Sequence, residues 1–277
     1  MLDEYDKIIS KDVSIYIQEV CCAYGNSSHN IANYPLIEYL LSSVLLRMTG
    51  FMEQKLDILQ LTLCNQDEDF KYNLLRKSNK LSSNYDEVSS IYKSFLSIIQ
   101  AMEKELNVSD TKKYSDKLFK SSKYILNAHT KLYNILKNSS IISPIKRNFD
   151  DFVNLKKSML DLSEDIAKLR KELDEKTLSQ EEKKTKRIAL SQLETQQGLC
   201  LSEQNYISIY KRTIDFRHSI AHNITSIKRD LPNISFIKSK NFQFENYFVR
   251  FMIILSIDEV IRDMYDYYKK LKNKYLL

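Results

Sequence analysis

Glycine and proline are nearly missing from this chain. It has three of each among 277 residues, together about 2% where average usage is about 12%. Sheets turn on such residues, and loops that cradle phosphate through backbone N–H groups need glycine. The composition therefore argues against sandwiches, barrels and Rossmann-type α/β folds, and leaves an all-α protein. At 32.7 kDa and 43% hydrophobic residues, the chain can bury a large core. A net charge of +6 permits contact with nucleic acid without requiring it. Cys21, Cys22, Cys64 and Cys200 form no C-x-x-C pair, and adjacent cysteines make a poor metal clip, so neither a metal nor another cofactor is expected. The opening MLDEYDKIIS is acidic and lacks the basic and apolar regions of a signal peptide. The apolar run FMIILSI, Phe251 to Ile257, follows Arg250 and falls far short of the roughly 18 residues of a membrane span. The expectation is a soluble cytoplasmic protein with reduced thiols and no membrane partner.

Apolar periodicity predicts about eight helices. The first covers Tyr5 to Ala23, and Pro35 opens a long apolar second helix at a position where its missing N–H costs least. A short polar helix is read around Phe70–Lys77. Another runs from Asn84 to Leu106, with Ile91, Phe95, Ile98 and Met102 at 3–4 spacing, and a further one from Thr111 to about Lys137. NSSIISP then breaks the chain at Pro144. Next, Phe152, Leu155, Met159, Leu162, Ile166, Leu169 and Leu173 step alternately by three and four. This is an a/d seam held for about three heptads. Ser179 and Glu182 make a capping box that starts a return arm with Leu190, Leu193 and Cys200 on its seam. So short a link folds the two helices into an antiparallel coiled-coil hairpin. The reading is one elongated helical bundle over 1–277 with the hairpin, 150–200, inserted in it. The seam either packs on itself or pairs two copies. A helix from about Glu203 carries FRHSIAHNI, LPNIS breaks the chain, and a last helix runs from Phe244 to about Lys274. The tyrosines and phenylalanines fit packing between helices. The basic KKLKNK near the end suits a solvated helix terminus or an RNA backbone.

One segment concentrates chemistry. Of the four histidines, His218 and His222 lie four residues apart, directly after Arg217, so on a helix they share a face. A guanidinium forks onto phosphate oxygens, and imidazole exchanges protons near neutral pH. RNA carries its own nucleophile, the 2′-OH. Its cleavage therefore needs only proton transfer and stabilisation of charge on phosphorus. His29 and His129 read as structural.

Arg217-His218-Ser219-Ile220-Ala221-His222 resembles the signature of the HEPN superfamily: an Arg, four to six residues, then His, with a polar residue commonly beside the Arg. Arg212 and His218 satisfy the bare spacing too. The resemblance implies a small helical bundle with the motif near the start of a late helix and two protomers lining one cleft. It implies metal-independent cleavage of RNA to a 2′,3′-cyclic phosphate, in toxin–antitoxin or antiviral defence, with an antitoxin or defence-system partner. Carried over, Arg217 holds the scissile phosphate, His222 is the general acid/base and His218 orients the phosphate. Glu38, an acid on the long second helix that could orient the motif Arg, Arg212 and Asn223 are supporting candidates. The chain departs from the family in its greater length. It also has Ile224 where toxins controlled by a nucleotidyltransferase carry the Tyr of His-x-Tyr. Two other readings stand beside this one: a non-catalytic helical module that docks a protein or RNA, and a coiled-coil scaffold.

Overall fold

The computed structural model describes residues 2–25, 34–66, 68, 71–72, 84–108, 114, 118, 122–174, 180–201, 203–222 and 246–275. Among the described residues the chain is helical, without a strand. Its helices are α1 (Leu2–Ser10), α2 (Ile15–Tyr24), α3 (Tyr34–Gln66), α4 (Tyr85–Leu106), α5 (Ser122–Leu136), a 3-10 segment (Ser140–Ile145), α6 (Lys146–Asp174), α7 (Gln180–Leu201), α8 (Glu203–His222) and α9 (Tyr247–Tyr275). The polar helix read around Phe70–Lys77 lies outside the described residues except at Lys71 and Tyr72.

Helix α9 is the axis of the bundle, with α1, α3, α4, α5, α6 and α8 packed on it. The sequence gives the reason. From Tyr247 to Asp258 it is apolar on almost every side, and every residue there is buried, the pattern of a helix surrounded by others. Beyond Asp258 a half-exposed stripe of Glu259, Arg262, Asp263 and Asp266 returns at helical spacing. Asn246 starts the helix: its side-chain oxygen accepts the Phe248 N–H at 2.8 Å, satisfying one orphan donor of the first turn. Its amide donates to the Asn148 carbonyl and so fixes α9 to α6. Helix α4 follows the expected bounds. Asn84 caps it by accepting the Glu87 N–H at 3.0 Å, and Asn107 ends it at φ 52°, a conformation Asn tolerates.

Two expected helices differ. The expected Tyr5–Ala23 helix is divided into α1 and α2 by a turn at Asp12–Ser14, where the Asp12 carboxylate accepts the Ser14 N–H at 2.8 Å. Breaking the helix frees backbone groups for a buried network. The Lys55 ammonium donates to the Lys11 carbonyl and to Asp258 at 2.5 Å, and the Val13 N–H reaches Asp258 at 3.4 Å. Arg262 donates to Asp258 at 2.9 Å and lies 3.2 Å from Asp12, which Lys131 also meets. The side chains of Lys55 and Asp258 are fully buried. Burial draws the Lys55 ammonium below its ordinary range, and Asp258 opposes this. The other difference falls in the expected Thr111–Lys137 helix, of which α5 is described from Ser122 to Leu136, and of residues 111–121 only Tyr114 and Leu118 are described. Tyr114 stands at a bend and Leu118 in a turn, both buried.

The 3-10 segment holds Pro144 and leads into α6, where Phe149 and Phe152 root the helix in the core against Phe248. His129 is structural, as expected: it stacks on Phe152 with ring centroids 4.2 Å apart and hydrogen-bonds the Phe152 carbonyl at 2.9 Å. Helices α6 and α7 pack along each other, and Lys186 bridges to Glu172 at 2.9 Å. Of the a/d seam, Phe152 is buried and Leu155, Leu169 and Leu173 are half-buried. The side chains of Met159, Leu162, Ile166, Leu193 and Cys200 lie outside the described residues, as does Ser179.

Candidate active site

Helix α8 presents Tyr206, Ile209, Tyr210, Thr213 and Ile214 to the core, the 3–4 spacing of one helical face. Arg217 extends that face by one more turn. Its guanidinium donates to Glu53 of α3 at 2.6 Å, with about a fifth of the Arg217 side chain and a third of that of Glu53 still exposed. Tyr210, two turns earlier on the same face, packs edge-on to Tyr85 with centroids 6.3 Å apart. Burial, followed by the Glu53 charge, pushes its hydroxyl well above the ordinary range, while Arg217 pulls it back. Asp57, four residues along α3 from Glu53, is also pushed up by burial and by the Glu53 carboxylate. Beneath the ion pair, Thr49, Met52, Leu56, Val88 and Ile254 help to line a cavity of about 10 Å³, room for roughly one water. Any larger ligand must meet Arg217 from the solvent side.

The neighbouring face of α8 carries a second polar group. Phe216 packs edge-on to Tyr247 with centroids 5.7 Å apart, and the Arg250 guanidinium lies 3.9 Å from the centre of the Phe216 ring. The Tyr247 hydroxyl donates to Glu38 at 2.8 Å and is 2.7 Å from the Ser42 hydroxyl. Burial raises the Glu38 carboxyl above its ordinary range, opposed by Tyr247 and Arg250.

Of the residues singled out in the sequence, Arg217 is half-buried and His218 exposed on the same helix. His222 ends α8, with its helical backbone described and its side chain outside the description; Asn223 lies outside the described residues. Arg212 is exposed, five residues before Arg217 and so about 140° around the helix from it. Glu38 serves Tyr247, whereas the acid that meets Arg217 is Glu53, fifteen residues further along α3, or about 22 Å of helix. The motif occupies the final six residues of α8, whereas the resemblance implies a position near the start of a helix. Sequence reasoning missed Glu53, Tyr210, Tyr247 and Arg250. A signal existed for one of them: Arg250 is the lone cation inside FVRFMII, and a charge in an apolar run needs a buried counterpart. Among the described residues no group of His, Cys, Asp or Glu gathers with the geometry of a metal site, and no helix is long and apolar enough to cross a membrane. Comparison of the chain with protein-family models, with curated proteins and with solved structures gave no match.

Proposed function

We propose that this chain is a metal-independent endoribonuclease of the HEPN type that works as a homodimer, with RNA as substrate and a toxin or antiviral defence role. The single observation that carries the reading is Arg217, held on the rim of α8 by Glu53 with its guanidinium partly open to solvent, one residue from exposed His218 and five from His222. In this reading the RNA 2′-oxygen attacks the adjacent phosphorus and the bond from phosphorus to the 5′-oxygen breaks. His222 takes the 2′-OH proton and returns a proton to the leaving oxygen. Arg217 neutralises the charge that builds on the non-bridging oxygens. Glu53 is the positioning acid on the long helix, the role the sequence alone suggested for Glu38. The α6–α7 pair is a coiled-coil elaboration of the bundle over 150–200, and both motifs line one cleft between protomers.

A second reading is favoured by a specific observation. Arg217 already spends part of its charge on Glu53, and the motif stands at the end of α8. An ion pair that only fastens α8 to α3 would serve a non-catalytic module that docks a protein or RNA. The experiment is incubation of purified protein with mixed RNA in EDTA, beside Arg217→Ala and His222→Ala. Cleavage by the wild type, with 2′,3′-cyclic phosphate ends and a loss of 100-fold or more in each variant, supports catalysis. Equal cleavage by all three proteins, or none by any, overturns it, and RNA binding without cleavage selects the docking module.

A further inference from the structure

Several cations of this fold meet carboxylates: Lys55 and Arg262 at Asp258, Lys131 at Asp12, Arg217 at Glu53, Arg47 at Glu19 and Lys186 at Glu172. Helix α7 departs from that pattern. From Lys183 to Gln192 the sequence KKTKRIALSQ holds four cations and no acid. Lys186 turns toward the hairpin partner, where Glu172 takes it at 2.9 Å. Lys183, Lys184 and Arg187 instead line one open depression of about 710 Å³, together with Ile188, Ser191 and Gln192. No carboxylate among the described residues is ion-paired with these three cations. Lys184, Arg187, Ser191 and Gln192 are exposed, and Ile188 stands 54% exposed between them.

We infer that this face of α7 is a polynucleotide-binding surface that grips the phosphodiester backbone of RNA at a distance from the Arg217 motif. The choice of RNA among polyanions rests on the ribonuclease reading; the surface itself rests on the geometry of α7. Lys183 to Gln192 spans roughly 14 Å of helix, so its charges are strung along a line rather than converged on a point. A small anion needs donors closing around it, and this depression is open. An acidic peptide is held specifically by side-chain pockets, and among the described lining residues the one apolar side chain is Ile188. A chain of evenly repeated negative groups fits best: Lys and Arg meet phosphate oxygens, the Ser191 hydroxyl and Gln192 amide reach sugar or phosphate, and Ile188 rests against a ribose or base.

The test uses the full-length chain carrying Arg217→Ala, so that the probe stays intact, and a fluorescein-labelled single-stranded RNA of about 20 nucleotides read by fluorescence anisotropy over a salt series. The comparison adds Lys183→Gln, Lys184→Gln and Arg187→Gln to that background, with circular dichroism confirming unchanged helicity. Removing three phosphate contacts makes the slope of log affinity against log salt shallower by about 2 and weakens binding at least tenfold at low salt. Lysine-to-glutamine changes at exposed residues of other helices, Lys123, Lys93 and Lys146, leave the slope within about 0.5 of its starting value. An unchanged affinity and slope in the α7 variant overturns the inference. So does weak RNA binding alongside tight, α7-dependent binding of a polyglutamate peptide, which assigns the surface to an acidic protein. Failure of RNA cleavage by the wild type bears on the ribonuclease reading alone, because the binding series uses a protein already deprived of Arg217.

Discussion

Arg217 and Glu53 meet at 2.6 Å in a partly open setting, where an ion pair contributes about 1 kcal/mol or less to stability. On the ribonuclease reading its importance is therefore positional. Glu53→Gln keeps a hydrogen-bond acceptor but removes the opposing charge. On the ribonuclease reading kcat falls about tenfold, or 1.4 kcal/mol, with KM little changed, while the urea midpoint hardly moves; steady-state cleavage of a short RNA beside urea unfolding checks both. Two other carboxyls give pH dependences of opposite sign. Burial pushes Asp12 up, but Lys131, Ser14 and Arg262 outweigh it and hold the carboxyl at about 2, below its ordinary 3.8. Its folded-state pKa is depressed, so its stabilising contribution is present above about pH 4 and is lost as pH falls through about 2. Urea midpoints taken across that range should show wild type and Asp12→Asn converging as the solution is acidified. Glu38 is raised by burial, so its contribution is lost as pH rises from its ordinary value through the folded one. Glu38→Gln, which keeps a partner for Tyr247, should match or exceed wild-type stability at pH 7. The motif itself was legible as residues in sequence. Its partner was not, because an acid on α3 can be matched to Arg217 only once the crossing of α3 and α8 is known, and Glu38 and Glu53 look alike in one dimension.

Helices were legible where the apolar spacing was dense and the caps were specific. Helix α4 shows this best, with Asn84 before it and Asn107 after it. They were misread where a polar network overrode periodicity. The division of α1 from α2 answers to Lys55 and Asp258, residues far away in the chain, so the residues around Asp12 could not announce it. Breaking that buried pair with Lys55→Met leaves Asp258 with Arg262 and the Val13 N–H, and should cost about 3 kcal/mol in urea unfolding. Pairing it with Asp258→Leu should recover a large part of that loss. The hairpin offers a prediction of its own. The Lys186–Glu172 bridge sets the antiparallel register, so joining Asp165 to Leu193 by a short glycine–serine link shortens both arms equally. Phe149 and Phe152 stay in place as the root. The shortened protein should keep its helicity per residue and melt within about 5 °C of the parent; collapse of the melting transition would place the outer hairpin in the core.

At the scale of the molecule, the shortage of glycine and proline favours helices; on the ribonuclease reading it also leaves phosphate chemistry to side chains, since few loops can supply backbone N–H cradles. The ribonuclease reading further requires two protomers, and light scattering of the purified chain should return about twice 32.7 kDa. A monomer that still cuts RNA would remove the shared cleft. Replacing Phe251, wholly buried at the middle of α9, with Ala should cost about 3–5 kcal/mol, measured by urea unfolding, because α1, α3, α4, α5, α6 and α8 all lean on that helix. The position of α9 in the chain carries a consequence for biosynthesis. A ribosome adds residues at about 5–20 per second, so the segments that will surround α9 emerge for many seconds before it does. Through that interval the apolar faces that α9 covers have only the other helices to pack on, and exposed surface of that kind is prone to aggregate. The bundle can close fully only once residues 247–275 are there to pack against.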